Sequence, residues 1–389
     1  MNTPGMKPLA GVRIVSVEQF ASAPYGTMFL AELGAEVIKV ENTAGGDPSR
    51  YTGPHFLGAA DGEYFHSWNV GKQSVVLDLK SAEGQTDFQA LAAGADAVVN
   101  NLRGDLARKL GLDYPALKAV NPALVCLHIS AYGRDNDRQA WPGYDYLMQA
   151  EAGLMSITGE PGGPPARYGA SGIDYMTGMT GMVGLLSCVI GARATGRGCD
   201  VDTCLFDVAL HQLSYCATWH LNHGDVTTRT RRSSHFSLAP VQTVPTADGW
   251  LYVMCMTQKF WINLTEKLDR ADLAQDPRFA EPRVRFENRD ALSDILDAEF
   301  RRHGTEHWLA RLSGSLPVGP VFDIAQALDN PFVAETGMVR TVPHPNDPAF
   351  RMLANPLRID GERPVASICS GLGAGDATLL PSYRAATAA

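Results

Sequence analysis

The feature that most constrains this chain is an alternation of β-like and helix-like stretches through its first two hundred residues. Val12 to Val17 (VRIVSV) is a short strand candidate, and Ser22 with Pro24 supplies a cap and first turn for a helix ending at Leu33-Gly34. Glu36 to Glu41 (EVIKVE) alternates as a second strand. Ser74 to Leu79 (SVVLDL) precedes a helix over Ser81 to Ala93, Asp96 to Asn101 (DAVVNN) precedes another through Arg108, and Ala123 to Ser130 (ALVCLHIS) is a further strand-like run. Such a β-α-β-α order implies a mostly parallel sheet with helices on both faces, whose ligand sites lie beyond the carboxyl ends of the strands.

A glycine and proline stretch, Thr158 to Gly172, interrupts the pattern and delivers the chain into a long helix expected over Tyr175 to Arg193. Gly178, Gly181 and Gly184 recur every third residue, leaving one stripe of bare backbone. Each helix-interior glycine costs about 1 kcal/mol relative to alanine, so something is expected to pack very close to that stripe. At 389 residues the chain has length for two domains. The polar Arg229 to His235 reads as the junction. Beyond it, Thr243 to Met256 reads as a hairpin turning at Ala247-Asp248-Gly249, followed by helices around Phe260 to Leu268, Asp290 to Arg301 and Thr305 to Leu312. The segment after Pro343 is too short for a third domain and is expected to return to the first.

Several chemistries are disfavoured. A net charge of −9, with no basic cluster denser than Arg229, Arg231 and Arg232, argues against nucleic acid as a partner. Seven cysteines without a CxxC pair read as reduced core residues rather than a disulfide framework or zinc site. The N-terminus lacks a basic segment followed by an unbroken apolar run, and no window approaches the roughly 20 apolar residues of a membrane span, so a cytoplasmic protein is expected. There is no GxSxG elbow, Walker loop or HExxH, and no GxGxxG between a strand and a helix; Gly371, Gly373 and Gly375 lie near the C-terminus without a following dinucleotide unit. His220 and His223 have no third ligand nearby in sequence, and His128 sits in an apolar strand, so no metal is expected. His235 is placed at the domain junction, where it can line a cleft.

Asp174 stands out by its setting. It follows the glycine-rich loop in the first turn of the long helix, where unpaired N–H groups and the helix dipole favour negative charge and oppose protonation. Spacing alone leaves two readings open: a helix-capping residue, or a carboxylate kept ionised for chemistry.

Longer stretches narrow the choice. LAGVRIVSV, LAELGAEVIKVE (Leu30 to Glu41), NVGKQSVVLDLKSAEG (Asn69 to Gly84), ADAVVNNLR, GLDYPALKAVNPALV, PGYDYLMQAEAGLMSITGEPGGPP, GIDYMTGMTGMVGLL and TGRGCDVD together resemble the class III CoA-transferases. The resemblance spans most of the first 210 residues and continues more weakly at PTADGWLYV, LPVGPV and PLRIDG. It implies a Rossmann-like α/β domain built from both chain ends, residues 1–225 and 335–389, a smaller α+β domain at 226–334, and an interlocked homodimer. It further implies CoA thioesters and small carboxylic acids as substrates, with no tightly bound cofactor and no membrane or nucleic-acid partner. Asp174 matches the catalytic aspartate, which attacks the donor thioester to form a mixed anhydride and then an enzyme-CoA thioester. Positions matching CoA contacts are Ala21, Ser22, Lys72, Asn101, Leu102, Arg103, Lys109, Tyr144 and Asp145. Tyr144, His235 and Tyr252 to Met256 are candidates for the acceptor pocket.

Two departures point away from formyl-CoA and oxalate as substrates: Asn42 stands where formyl-CoA transferase has an arginine, and SSHFSLAP replaces its glycine-rich loop near the domain junction. An α-methylacyl-CoA racemase is the alternative from a different reaction class. It needs a histidine in the segment that here reads Pro142-Gly143-Tyr144-Asp145, and a tyrosine with a pKa near 10 is a poor base at neutral pH. A non-catalytic CoA-binding subunit is the third reading, and the presence of Asp174 weighs against it.

Overall fold

Six parallel strands form the sheet that positions everything else: β1 (Arg13–Val17), β2 (Glu36–Glu41), β3 (Lys72–Val76), β4 (Ala97–Asn100), β5 (Val125–Ser130) and β6 (Cys199–Cys204). Their order across the sheet is β3-β2-β1-β4-β5-β6. Ile14 lies between Val37 on β2 and Ala97 on β4, so the sheet grows outward in both directions from β1. That reversal opens a crevice beyond Val17 and Asn100, which pair at the carboxyl ends of β1 and β4. The computed structural model describes residues 6–388.

The chain divides into two units. The larger takes the chain up to Ala152, then Gly169–Gln212, and everything from Phe332 on; the smaller takes Gly153–Tyr168 and Leu213–Pro331. Residues 153–168 and 213–225 thus pack with the smaller unit, although the sequence boundaries put them in the larger. Arg229 provides a reason: its guanidinium donates to the carbonyl oxygens of Ser156 (3.3 Å), Gly163 (2.5 Å) and Pro164 (2.9 Å), tying the glycine-rich loop to that unit.

Strands β4 and β5 are buried along their whole length, as their apolar sequences predict. The edge strand β6 (CDVDTC) was not legible, because two acids interrupt its apolar alternation. Tertiary partners make it a strand: Asp200 meets His128 Nε2 at 2.9 Å, and Asp202 holds Arg134 through both carboxylate oxygens. Helix α1 (Ser22–Glu32) and helix α2 (Ala82–Ala93) form as expected. The chain end returns to β3, where Val76 N–H donates to Asp376 Oδ1 at 2.7 Å and Ser74 N–H to Ser370 Oγ at 2.8 Å.

Helix α3 (Asp145–Glu151) precedes the long helix α4 (Gly172–Thr195). The glycine stripe of α4 is where other atoms come closest. A Cβ at Gly178 would stand 2.2 Å from the carbonyl oxygen of Ser22, one at Gly181 would meet Leu127 and Ile129 at 3.1 Å, and one at Gly184 would meet Val201 at 3.0 Å. Gly26 of α1 answers Gly178, since its own Cβ would stand 2.9 Å from the Gly178 carbonyl oxygen. The two helices therefore cross backbone to backbone. With 24 residues and an 18-residue window of mean hydropathy 1.4, α4 is long and apolar enough to cross a bilayer, which corrects the expectation that no such window exists. Its methionine, leucine, isoleucine and valine residues raise its hydropathy, and its inner face lies on α1, β5 and β6.

The smaller unit carries an antiparallel sheet, β7 (Val241–Pro245), β8 (Trp250–Met254) and β9 (Val318–Pro320), with β8 in the middle. Helices Gln258–Lys267, Arg289–Phe300 and Thr305–Leu312 bury Trp261, Leu264, Leu296, Phe300 and Trp308 with the sheet's Leu251 and Val253.

Candidate active site

The β1–α1 turn frames the crevice. Phe20 takes a positive φ of 55°, a left-handed conformation that a bulky side chain adopts only when its surroundings impose it. Here Asp47 accepts from the Phe20 N–H (3.2 Å), and Asn101 clamps Gln19 from both sides, accepting from its N–H at 2.9 Å and donating to its carbonyl at 2.6 Å. Asn101 also donates to Ser22 Oγ at 3.1 Å. Asn101, Ala21 and Ser22 thus meet at one point, with Ala21 and Ser22 buried. Beside it, past the ends of β1, β2 and β3, lies a cavity of about 440 Å³ lined by Gln19, Asn42, Gly46, Leu79, Leu102 and others. Asn42 donates to the Gly46 carbonyl (2.8 Å) and shapes this wall.

Lys72 requires a correction. The resemblance placed it against CoA, but it is almost wholly enclosed and its ammonium donates to Glu18 (2.7 Å), the Pro24 carbonyl (2.9 Å) and Asn69 (3.0 Å). All three donors are used, so it holds the framework under the crevice. Burial pushes this ammonium down to about 8. It belongs to a buried set in which Lys39 pairs with Asp47 (2.9 Å) and Arg50 with Glu41 (2.7 Å), opposite charges compensating throughout. Arg103 and Lys109, by contrast, are exposed and share Asp105, at 3.2 and 2.7 Å. Lys109 lines a second cavity, about 410 Å³, together with Arg108, Arg134 and Gln139.

Asp174 sits in the first turn of α4 as expected, but the cap is supplied from elsewhere. Asp145, buried at the start of α3, accepts from the backbone N–H groups of Ile173 (2.6 Å) and Asp174 (3.0 Å) through one oxygen. Its other oxygen accepts from Gln149. The helix N-terminus therefore stabilises the charge of Asp145 rather than that of Asp174. Asp174 has no hydrogen-bonding or cationic partner for its own carboxylate among the described residues, and it stays partly open to solvent. Its crowded surroundings, and secondarily the nearby Asp145 charge, push its carboxyl up to about 7. This reverses the expectation that the helix end opposes its protonation. The signal for Asp145 as the cap was absent from the sequence, because 28 residues separate it from Ile173.

Aromatic rings surround this point. Tyr175 stacks on Tyr25 of α1 with centroids 4.6 Å apart and lies 6.4 Å from Trp68. Tyr64 packs edge-on against Trp68 at 4.4 Å, and burial followed by the Asp174 charge raises its hydroxyl above the usual tyrosine value. Tyr25, Trp68 and Tyr175 line a cavity of about 480 Å³ in the larger unit. Tyr144 is exposed and meets Phe20 edge to face at 5.9 Å. His235 belongs to the smaller unit, where its ring stacks on Tyr215 at 5.8 Å and its Nδ1 accepts from Ser237 N–H.

One cluster escaped sequence reading altogether. Asp61, His66 and His344 bring ligand-type atoms within 4.8 Å of one another. Asp61 binds His66 Nε2 at 2.6 Å and His344 Nε2 at 2.7 Å, one oxygen each, and His344 Nδ1 accepts from Asn346 N–H. This is a hydrogen-bonded latch between the start and end of the chain; His344 lies 283 residues from Asp61, so the cluster has no signature along the sequence.

Comparison with known proteins fixes the class. The CoA-transferase family III description matches residues 9–368. A succinate–glutarate CoA-transferase from Agrobacterium fabrum is 33% identical over 337 residues, 85% of this chain and 84% of the relative. An acetyl-CoA:oxalate CoA-transferase from Acetobacter aceti is 30% identical over 92% of each chain. The crystal structure of a CAIB/BAIF family protein from Brucella suis superposes with a TM-score of 0.84 at 30% identity, covering 98% of this chain and all of that one. A parallel sheet of order β3-β2-β1-β4-β5-β6, with its crevice at the reversal, and a match that runs nearly end to end lead to one conclusion: the chain belongs to CoA-transferase family III and is a CoA-transferase.

Proposed function

We propose that this enzyme moves CoA from an acyl-CoA donor to a carboxylic acid acceptor with Asp174 as covalent nucleophile. An Asp174 oxygen attacks the thioester carbonyl, the C–S bond breaks, and CoA thiolate leaves a mixed anhydride. The thiolate then attacks the Asp174 carbonyl carbon and expels the donor acid, giving an enzyme-CoA thioester. The acceptor carboxylate attacks that same carbon and releases the thiolate, which cleaves the new anhydride and restores Asp174. Holding the acyl group covalently keeps both partners in place while the acid exchanges.

The observation that carries this reading is the unpartnered carboxylate of Asp174 beside a neighbouring carboxylate that has taken the helix cap. Among the described residues no cation pairs with it, and a carboxyl raised to about 7 is partly ionised at neutral pH while being more basic than an ordinary aspartate. Ala21, Ser22, Asn101 and Leu102 bound the crevice that receives CoA in this proposal, and exposed Arg103 and Lys109 meet its phosphates. Exposed Tyr144 lies beside Phe20 of the β1–α1 turn, and buried Asp145 holds the first turn that carries Asp174. The relatives named for succinate, glutarate and oxalate favour a dicarboxylic acid on at least one side of the reaction.

A homodimer of the interlocked kind completes the proposal. Met176, Val183 and Ile190, spaced seven residues apart on the outer face of α4, are 49%, 66% and 72% exposed, an apolar stripe suited to a second copy. A cytoplasmic setting accords with seven free cysteines.

Hydroxylamine during turnover tests the mechanism. It should convert the acylated or CoA-bound Asp174 to a hydroxamate, located by peptide mass, only when an acyl-CoA is present. A racemase would instead exchange the substrate's α-proton in deuterium oxide without marking Asp174, and that result would reject the proposal.

A further inference from the structure

The cavity beside Tyr175 has a polar floor. Its walls are apolar and aromatic, with Tyr25, Phe29, Trp68 and Phe350 among them, and Arg340 of the returning chain end faces it. The Arg340 guanidinium pairs with Glu32, the last residue of α1, and donates to the Pro364 carbonyl (3.3 Å). Asn355 holds the other Glu32 oxygen at 2.8 Å. Arg340 thereby uses two of its five N–H donors, and its Nε–H is without an acceptor among the described residues. The side chain is mostly enclosed, at 14% exposed, and its Nε is sealed off, so the hydrogens left on Nη1 and Nη2 are the donors that meet an anion entering the cavity.

The cavity also reaches toward the reacting centre. Tyr175, next in sequence to Asp174, forms part of its wall, and Trp68 abuts Tyr64, which feels the Asp174 charge. Tyr25, Phe29 and Glu32 lie along one face of α1, leading from the Tyr175 stack to Arg340. We propose that this cavity holds the acyl chain of a dicarboxylic acid, its methylenes against the aromatic walls and its far carboxylate on Arg340, while the reacting carbonyl lies toward Asp174. This assigns Arg340 as a specificity-determining residue and rests on the reading of Asp174 as nucleophile. Burial, only partly offset by Arg340, raises the Glu32 carboxyl above its ordinary value, so Glu32 is able to take up a proton when a second carboxylate shares the guanidinium.

The test compares glutaryl-CoA with pentanoyl-CoA, equal in carbon count, as donors to acetate for the full-length enzyme. Arg340→Met is expected to lower kcat/KM for glutaryl-CoA at least about ten-fold, the scale of one charge-assisted hydrogen bond, and to change pentanoyl-CoA less than about three-fold. Arg340→Lys should restore part of the glutaryl preference. Glu32→Gln, which removes the competing charge and keeps a hydrogen-bonding side chain, should lower KM for glutaryl-CoA. Equal losses on both donors in Arg340→Met, or an unchanged glutaryl KM in Glu32→Gln, would overturn the assignment; the second result decides the matter if the first variant does not fold. Failure of the Asp174 reading is separable, because the wild-type enzyme would then show no hydroxamate on Asp174 with either donor.

Discussion

Asp174 and Asp145 divide between them two roles that one residue seemed able to fill. Asp145 spends its charge on two backbone N–H groups, and Asp174 is left with a raised carboxyl and a free face. Because the nucleophile is the ionised form, kcat/KM should rise with pH through an apparent pKa of about 7, and a profile already flat above pH 5 would contradict this assignment. Asp174→Ala should lower transfer on the order of a thousand-fold or more while CoA binding, followed by calorimetry, persists. The same shift has a sign for stability. An acid whose folded value lies above its unfolded value binds protons better when folded, so its ionisation destabilises the fold increasingly as pH rises from about 4 to about 7. Asp174→Asn should therefore gain stability relative to wild type across that window, read as a melting-temperature difference that widens from pH 4 to pH 8. Asp145→Asn removes a repelling charge and weakens a cap; the apparent pKa of the rate profile should fall, with a stability loss of about 1–2 kcal/mol by denaturant titration.

Among the elements, α4 is the one on which both fold and site depend. Its glycines let α1 come close enough for Ser22 and Gly178 to touch, which places the β1–α1 turn next to the first turns of α4. Gly178→Ala would drive a methyl group to 2.2 Å from the Ser22 carbonyl oxygen, costing roughly 1–3 kcal/mol or more and moving the crevice lip with it. Gly191, on the same helix, has open space around its would-be Cβ, and Gly191→Ala should stabilise by up to about 1 kcal/mol. Thermal unfolding of the two variants distinguishes close packing from simple helix propensity. The spacing of those glycines was visible in the sequence, and so was the demand for a close neighbour. The identity of that neighbour was not, since Gly26 and Gly178 are 152 residues apart. Strand β6 was missed for a related reason: Asp200 and Asp202 look like solvent residues until His128 and Arg134 are brought beside them.

At the scale of the molecule, the exposed stripe on α4 makes a prediction about assembly. Val183→Asp together with Ile190→Asp should convert a dimer to smaller or aggregated species in sedimentation, whereas a monomeric wild type would remove the need for a partner on that face. By itself the sequence determined the parallel α/β architecture, the approximate positions of the four inner strands and of the edge strand β3, the long helix with its bare stripe, and the place of Asp174 at that helix's start. These are local or periodic properties, encoded by residues close together in the chain. Only the tertiary structure decided that Asp145 caps α4, that Lys72 is buried in a web of charges, that Asp61 latches two histidines, and that Arg340 faces a cavity with donors unused. Each of those depends on groups separated by tens to hundreds of residues, and on how burial changes the cost of a charge, which no spacing along the chain expresses.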